Sequence, residues 1–456
     1  MTTTFPPQPP VGPPGQWSFP PAVHGQLPNG LRTLTYSLPG QHVVSAQLVL
    51  DVPLNAEDRS LEGVATICAR VLDEGSRTHP GEEFAELMET EGAGFGVELT
   101  LAGTRAVLDV PASRLDRALE LFAEAVTTPD LADDDIRRHV SLRLAEIEQA
   151  QANSAQTASH AFRAVAFDAG SRASRMNGGE PETVAAVTPE AVRDFHRSHY
   201  GPAGATLVLA GDFGDQDPVA LAETHLGGWR GEDQQRTPYQ PPAPGSRRMV
   251  VVDRPGAVQA DVRLGGFSID RRDPRWADIT VASYAMGGAF LSRLNAELRE
   301  NKGYTYGVRM QFSPLRTGGS FAVQGSFRTE VVADAVRLTR ELLQTGSQPF
   351  TADEVREAVA YFVGVSPLRY ATADGVADQA ANHVLLDLPD NYVDLSLTAL
   401  RDVTPESATA AFRELVPLDD LSLVVVGDAS VIADPLREVG FDGLEVRPPS
   451  APVELG

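Results

Sequence analysis

The sequence predicts an α+β protein built from two homologous halves, each a mainly antiparallel sheet layered with helices. Three observations support this fold class. The segment 186–213 is repeated at 402–429 with an offset of 216 residues and no gap. A polar, proline-rich stretch at 232–248 separates the two halves and is typical of a linker. Strand-like and helix-like segments interleave along each half, which favours one sheet covered by helices.

The repeated segment contains a helix start and a buried strand in both copies. Thr188-Pro189 and Thr404-Pro405 predict helix starts, because threonine can cap a helix and proline suits its first turn. The apolar runs 207–210 and 423–426, each ending at Gly-Asp, predict buried strands. A match of cap, helix, strand and Gly-Asp over 28 residues indicates a duplication.

The other elements follow in the same order in both halves. Strands are predicted at 31–36, 44–52, 96–101 and 105–110 in the first half, and at 249–252, 261–269, 307–313 and 320–326 in the second. Helices are predicted at 111–126 and 131–151. The expected domains are a proline-rich disordered arm at 1–21, an N-terminal half at 22–231, the linker at 232–248, and a C-terminal half at 249–450.

Composition excludes several classes of function. The net charge of −24 is opposite to the basic surface that nucleic acid requires. No run of 18 apolar residues exists, so we expect no membrane span. Cys68 is the only cysteine, and the N-terminus lacks a basic-then-apolar signal. These features predict a cytoplasmic protein with neither nucleic acid nor membrane as a partner.

The segment 63–76, GVATICARVLDEGS, resembles an active-site helix that has lost its chemistry. Its frame is that of the H-x-x-E-H helix of inverzincin peptidases, in which two histidines bind zinc and the glutamate activates water. Thr66, Ala69 and Arg70 occupy these three positions. Threonine is a poor zinc ligand, alanine has no base, and arginine is a permanent cation. We therefore expect no metal site in this chain.

Further segments extend the resemblance over most of the chain, from about residue 25 to 445. They are EEFAEL at 82–87, EGAGFG at 91–96, VTPE at 187–190, MGGAFLSRLN at 286–295 and ELRENKGYTYG at 297–307. The chain resembles the pitrilysin/insulinase-type zinc peptidases, and most closely the bacterial subunits related to mitochondrial processing peptidase. This resemblance implies a clam-shell assembly with a partner.

Three candidate metal ligands have simpler explanations. The family's third zinc ligand, a glutamate on a later helix, matches Glu146, but one carboxylate makes a weak zinc site. We expect Glu146 to pair with an arginine such as Arg70. His196 and His199 lie near a helix end, where imidazole suits the helix dipole, and no carboxylate is spaced to complete a site.

Arg299 and Tyr306 are the predicted catalytic contribution of this chain. By the resemblance, they match an arginine and a tyrosine that reach from the C-terminal half towards the zinc centre in the facing half. A guanidinium and a phenol can stabilise the negative charge that develops on the scissile carbonyl oxygen. The alternative is that Arg299 pairs on the surface with Glu300 or Asn295, and that Tyr306 fills an edge.

The glycine-rich strand start at Gly94, Phe95 and Gly96 is a candidate for substrate binding. In active relatives the peptide adds as a strand near this segment, held by backbone hydrogen bonds. A purely structural use of these residues remains equally open.

These observations predict a non-catalytic subunit of a heterodimeric zinc metallopeptidase, inactive alone. Its partner would carry H-x-x-E-H and the zinc, whereas this chain would hold no cofactor. The substrates would be short or unfolded peptides, with maturation of leader peptides as one option. The alternatives are a structural subunit like the core proteins of respiratory complexes, or a peptide-binding protein.

Overall fold

The structure is a computed structural model and describes residues 17–231, 233–345, 348–441 and 443–448. Its strands are β1 Val23–Gln26, β2 Arg32–Ser37, β3 Val43–Leu50, β4 Gly94–Thr100, β5 Gly103–Pro111, β6 Thr206–Gly211, β7 Met249–Asp253, β8 Gln259–Ser268, β9 Val308–Pro314, β10 Gly319–Arg328, β11 Ser422–Gly427 and β12 Glu445–Arg447. Each predicted strand overlaps one of these.

In the described residues, helices precede or follow the strands of both sheets. They are α1 Val64–Arg70, α2 Glu82–Thr90, α3 Leu115–Thr127, α4 Asp133–Ala152, α5 Ser154–Ala166, α6 Pro181–Ala185, α7 Pro189–His199, α8 Pro218–Leu226, α9 Trp276–Ser283, α10 Arg293–Asn295, α11 Val332–Leu343, α12 Ala352–Arg369, α13 Ala373–Leu386, α14 Tyr392–Arg401, α15 Pro405–Leu415 and α16 Ala429–Glu438. Two π-helical turns, Tyr284–Gly288 and Ala296–Asn301, follow α9 and α10. No helix in this part of the chain combines the length and apolar character needed to cross a membrane.

Each half forms one six-stranded mixed sheet. The strand orders are β1-β2-β6-β3-β5-β4 and β12-β7-β11-β8-β10-β9. The parallel pairs β2–β6 and β7–β11 have the same register. Thr33 faces Leu207 in the first sheet, and Met249 faces Leu423, at positions 216 residues later, in the second. The predicted α+β class and the duplication are therefore confirmed.

The repeated helix starts form as the sequence predicts. Thr188 accepts a hydrogen bond from the Ala191 backbone N–H, and Thr404 accepts one from Ser407, each at 3.1 Å. The helices lead to β6 and β11, which are buried along their whole length. Local capping and apolar runs therefore determine this part of both halves.

The two halves exchange a helix. Helix α5 of the first half packs on β8 and β11, and α13 of the second half packs on β3 and β6. Polar contacts join these elements in both halves: Gln47 Nε2 donates to Asp378 at 2.6 Å, and Arg263, which is equivalent to Gln47, donates to the Ala155 carbonyl at 2.9 Å. The interface between the halves is thus itself duplicated.

The predicted disordered arm needs a correction at its end. Residues 1–16 lie outside the described residues, but Trp17 stacks on Tyr370 with ring centroids 5.8 Å apart. Phe19 is buried, and its N–H donates to Asp394 at 3.0 Å. Trp17 and Phe19 therefore pack on the folded chain, mainly on its second half, because their aromatic side chains bury apolar surface there.

Candidate functional site

Helix α1 carries Thr66, Ala69 and Arg70, the positions that the resemblance matches to H-x-x-E-H, and its start has a constrained backbone. Gly63 precedes it with φ of +109°, and a Cβ there would lie 2.9 Å from the Val184 side chain. Only glycine accepts this conformation and this contact without strain. Ala69 is buried, whereas Thr66 and Arg70, one turn apart, are partly exposed.

The Arg70 guanidinium bonds to Glu146 of α4 through two parallel hydrogen bonds. Nη1 and Nη2 donate to Oε1 and Oε2, both at 2.8 Å. Arg143 adds a third hydrogen bond to Glu146 at 3.2 Å. The hydrogen bond from Arg70 is the main reason that the pKa of the Glu146 carboxyl lies below its usual value. The pairing expected between these two residues is thus present in the structure.

Zinc does not fit this arrangement. Among the four motif positions only Glu146 is a usual zinc ligand, and both its oxygens are bonded to a permanent cation. One other group in the described residues could offer three ligands, namely Asp73, Glu74 and His139, with ligand atoms within 4.8 Å of one another. Glu74 is already paired with His139 and Arg138, each at 2.6 Å. An ion-pair network accounts for this cluster.

A buried network below α1 was not predicted from the sequence. Glu57 accepts hydrogen bonds from the N–H groups of Gly63 and Ala65 at the start of the helix. Arg172 Nη2 donates to the same carboxylate at 2.9 Å, from a position 115 residues away. Both side chains are almost fully buried. No local sequence signal joins residues so far apart, although two acidic residues before a helix could indicate a cap.

Arg299 lies in the second π-helical turn and is engaged within its own chain. Its Nε donates to Glu300 at 2.8 Å, and its Nη2 donates to the Phe290 carbonyl at 3.3 Å. The guanidinium carbon lies 3.8 Å from the centre of the Phe290 ring. The surface pair with Glu300, named as the alternative, is therefore present.

Tyr306 lies between that turn and β9 and is 96% exposed. It fills no edge, and its hydroxyl has no hydrogen-bond partner in the described part of the chain. The structure also shows no direct contact between Arg299 and Tyr306 among those residues. Both side chains belong to the second half, and Tyr306 is free to contact another molecule.

Gly94, Phe95 and Gly96 lie on β4, the edge strand of the first sheet. β4 pairs only with β5, so one side of its backbone has no strand partner within the described residues. The Phe95 ring packs against Phe122, with centroids 5.7 Å apart. This edge could accept a peptide strand while Phe95 anchors β4 to the core.

His196 and His199 have structural environments. His196 Nε2 lies 2.8 Å from the Val126 carbonyl, and its ring stacks on Tyr200. Burial lowers the pKa of His196 to about 4. His199 packs against Phe195. These contacts fit the helix-end interpretation of the two histidines.

The chain matches two family models. The model described as "Insulinase (Peptidase family M16)" matches residues 32–177, and "Peptidase M16 inactive domain" matches residues 186–362. An uncharacterized zinc protease of Mycobacterium tuberculosis is 27% identical over 404 residues, covering 86% of this chain and 90% of the relative. The "Non-peptidase homolog YmxG" of Helicobacter pylori is 21% identical over 377 residues, covering 81% and 86%.

A solved structure has a similar fold over nearly its whole length. The crystal structure of a peptidase M16 inactive domain from Pseudomonas fluorescens aligns with a TM-score of 0.82 at 22% identity. The alignment covers 90% of this chain and 98% of that chain. This similarity concerns the fold of the two halves.

Proposed function

The chain belongs to the insulinase family of peptidases, family M16, and we propose that it is the non-catalytic subunit of a heterodimeric zinc peptidase. The observation that carries this proposal is the Arg70–Glu146 pair, because both residues lie at positions that the family resemblance matches to zinc ligands. Metal-assisted peptide hydrolysis needs a bound metal and a base. A partner of the same family with an intact H-x-x-E-H helix would supply both, so this chain alone would cleave nothing.

In this proposal Arg299 and Tyr306 stabilise the negative charge that develops on the substrate carbonyl oxygen in the partner's site. A guanidinium and a phenol are the types of donor that suit this task. The exposed Tyr306 hydroxyl supports the role, because it is available to an incoming peptide. The edge of β4 at Gly94, Phe95 and Gly96 would hold peptide backbone by strand addition.

The proposed substrates are short or unfolded peptides, because an enclosed chamber between two subunits selects by size. Leader-peptide maturation is one process that would supply such substrates. A cytoplasmic location is part of the proposal, and fractionation of the cells that express the protein tests it.

A structural subunit without a part in proteolysis is the second candidate. The observation that favours it is the engagement of Arg299 with Glu300 and Phe290, since a guanidinium bonded inside its own chain does no catalytic work there. The chain would then contribute only to the assembly of a complex and not to peptide cleavage.

The test begins with the neighbouring reading frame, which we expect to encode a subunit with an intact H-x-x-E-H helix, and continues with reconstitution of the two chains. We expect a heterodimer in sedimentation, and peptide cleavage by the pair but not by this chain alone. Two independent monomers at micromolar concentration would contradict the proposal.

Substitutions in the complex separate the two candidates. Arg299→Ala and Tyr306→Phe should each lower kcat by roughly 10- to 1000-fold without weakening assembly. Arg309→Ala is the matched control, because Arg309 is an exposed arginine of β9 near the same segment. His196→Gln and His199→Gln should leave kcat unchanged. Full activity of Arg299→Ala in an intact complex would establish the structural candidate instead.

A further inference from the structure

The segment from Gly288 to Arg299 places an aromatic ring over a charged group at the surface. The Phe290 side chain is 75% exposed, whereas the Arg299 side chain is 16% exposed. Arginine side chains usually keep their charged end in water and leave aromatic rings to the interior. Here the aromatic ring is exposed, and it covers the guanidinium.

Three separate contacts hold the Arg299 guanidinium in this position. It lies 3.8 Å from the Phe290 ring centre, donates to the Phe290 carbonyl, and pairs with Glu300 at 2.6 Å. A guanidinium over an aromatic face is held by the ring quadrupole. The Nε and Nη2 donors of Arg299 are therefore directed towards its own chain.

The base of this loop is held by hydrogen bonds, whereas the side chains at its tip are exposed. Ala289 accepts hydrogen bonds from the Ser292 N–H at 3.1 Å and from the Asn295 side chain at 3.2 Å. Phe290 and Leu291, at the tip, are both more than 70% exposed. The loop also lies between the two π-helical turns, a backbone form that is frequent at functional sites. The Phe290 ring can therefore move without disturbing the fold.

We infer that Phe290 and Glu300 are positioning residues that hold Arg299 withdrawn, and that the guanidinium reaches a peptide carbonyl only after it leaves the Phe290 ring. This inference rests on the proposed function, in which Arg299 acts on substrate in the partner's site. The Arg299 guanidinium would thus be covered in the resting protein, alone or in the complex, and would be exposed when a peptide carbonyl takes the place of the ring.

The covering can be measured on the chain alone, with no partner and no activity. The probe is p-hydroxyphenylglyoxal, which modifies accessible arginines, followed by peptide mass mapping of Arg299 and of the exposed Arg309. We expect Arg299 to react more slowly than Arg309. Phe290→Leu and Glu300→Gln should each raise the Arg299 rate about two- to fivefold, as expected for a contact of cation–π strength at an exposed site.

Leu291→Ala is the matched control, because it removes an equally exposed apolar side chain from the same tip. It should leave the Arg299 rate unchanged, and Phe290→Trp, which keeps an aromatic face, should preserve the slow rate. An Arg299 rate that does not respond to Phe290→Leu or Glu300→Gln overturns the inference and leaves the proposed function untouched.

In the reconstituted complex, Phe290→Leu should raise kcat/KM about two- to fivefold, because less of the enzyme holds Arg299 covered. A fall in kcat/KM would show that the ring holds Arg299 in its working position, which contradicts the withdrawn state. Full activity of Arg299→Ala would instead remove the proposed function, whatever the modification rates are.

Discussion

The Arg70–Glu146 pair in the first half and the Arg299–Tyr306 segment in the second half differ in how their polar groups are engaged. Arg70 and Glu146 bond to each other through both donor and both acceptor atoms. Tyr306, by contrast, is almost fully exposed, and Phe290 beside Arg299 is an exposed ring. The difference indicates that an ion pair closes the position where the family resemblance predicts zinc ligands, while the second segment leaves an aromatic ring and a phenol at the surface.

Replacing the Arg70–Glu146 ion pair by zinc ligands should give the largest effect, a gain of zinc binding. Thr66→His together with Arg70→His supplies two imidazoles one helical turn apart and frees Glu146 as the third ligand. We expect the wild-type chain to bind no stoichiometric zinc and the double variant to bind about one zinc per chain, measured by metal analysis after chelator-free purification.

The control for this variant adds Glu146→Gln, which should abolish the zinc. Neither variant should cleave peptide, because Ala69 still stands where the base would be. Stoichiometric zinc in the wild type, lost on Glu146→Ala, would show that the ion pair does not prevent zinc binding in the first half.

The buried pair below α1 should give the largest loss of stability. Arg172→Ala leaves the Glu57 carboxylate buried without its cation, and we expect the free energy of unfolding to fall by about 3–5 kcal/mol. Arg437→Ala, which breaks an exposed pair with Asp434, should change it by less than about 0.5 kcal/mol. Similar losses for both variants in denaturant unfolding would refute the structural role given to Arg172.

Two neighbouring tyrosines, Tyr304 and Tyr306, test whether the Tyr306 hydroxyl is free of contacts within the chain. The Tyr304 hydroxyl donates to Asp334 at 2.9 Å, whereas the Tyr306 hydroxyl is exposed. Tyr304→Phe should therefore lower the free energy of unfolding by about 1 kcal/mol, and Tyr306→Phe should change it by less than about 0.5 kcal/mol. An equal loss for Tyr306→Phe would mean that its hydroxyl bonds within the chain.

The Arg70–Glu146 pair should make the smallest contribution, and one that depends on pH. Because Arg70 lowers the pKa of Glu146, the pair stabilises the fold above the unfolded-state value of about 4.3. That stabilisation is lost as the pH falls through the lower folded-state pKa. Arg70→Ala should cost less than about 1 kcal/mol at neutral pH and nothing once Glu146 is protonated. A cost that persists in acid would point to packing of the arginine stem.

The sequence predicts the fold well where local signals determine it. Thr188 and Thr404 cap their helices, and the apolar runs that follow form buried strands. The pairing of Arg70 with Glu146 could be anticipated because the family frame aligns both residues. The pairing of Glu57 with Arg172 could not, because it depends on tertiary packing between segments 115 residues apart. The position of Arg299 on Phe290 depends on a side-chain rotamer, and the attachment of Trp17 was hidden by the proline-rich composition around it.

The exchange of α5 and α13 between the halves has a consequence for what holds the molecule together. Each sheet is covered by a helix that the other half supplies, so neither half on its own buries its sheet completely. The segment 233–248 connects two halves that already pack against each other. We therefore expect the halves to stay associated after a single cut in this segment. The two halves are thus held together by the packing of α5 and α13 as well as by the peptide chain that connects them.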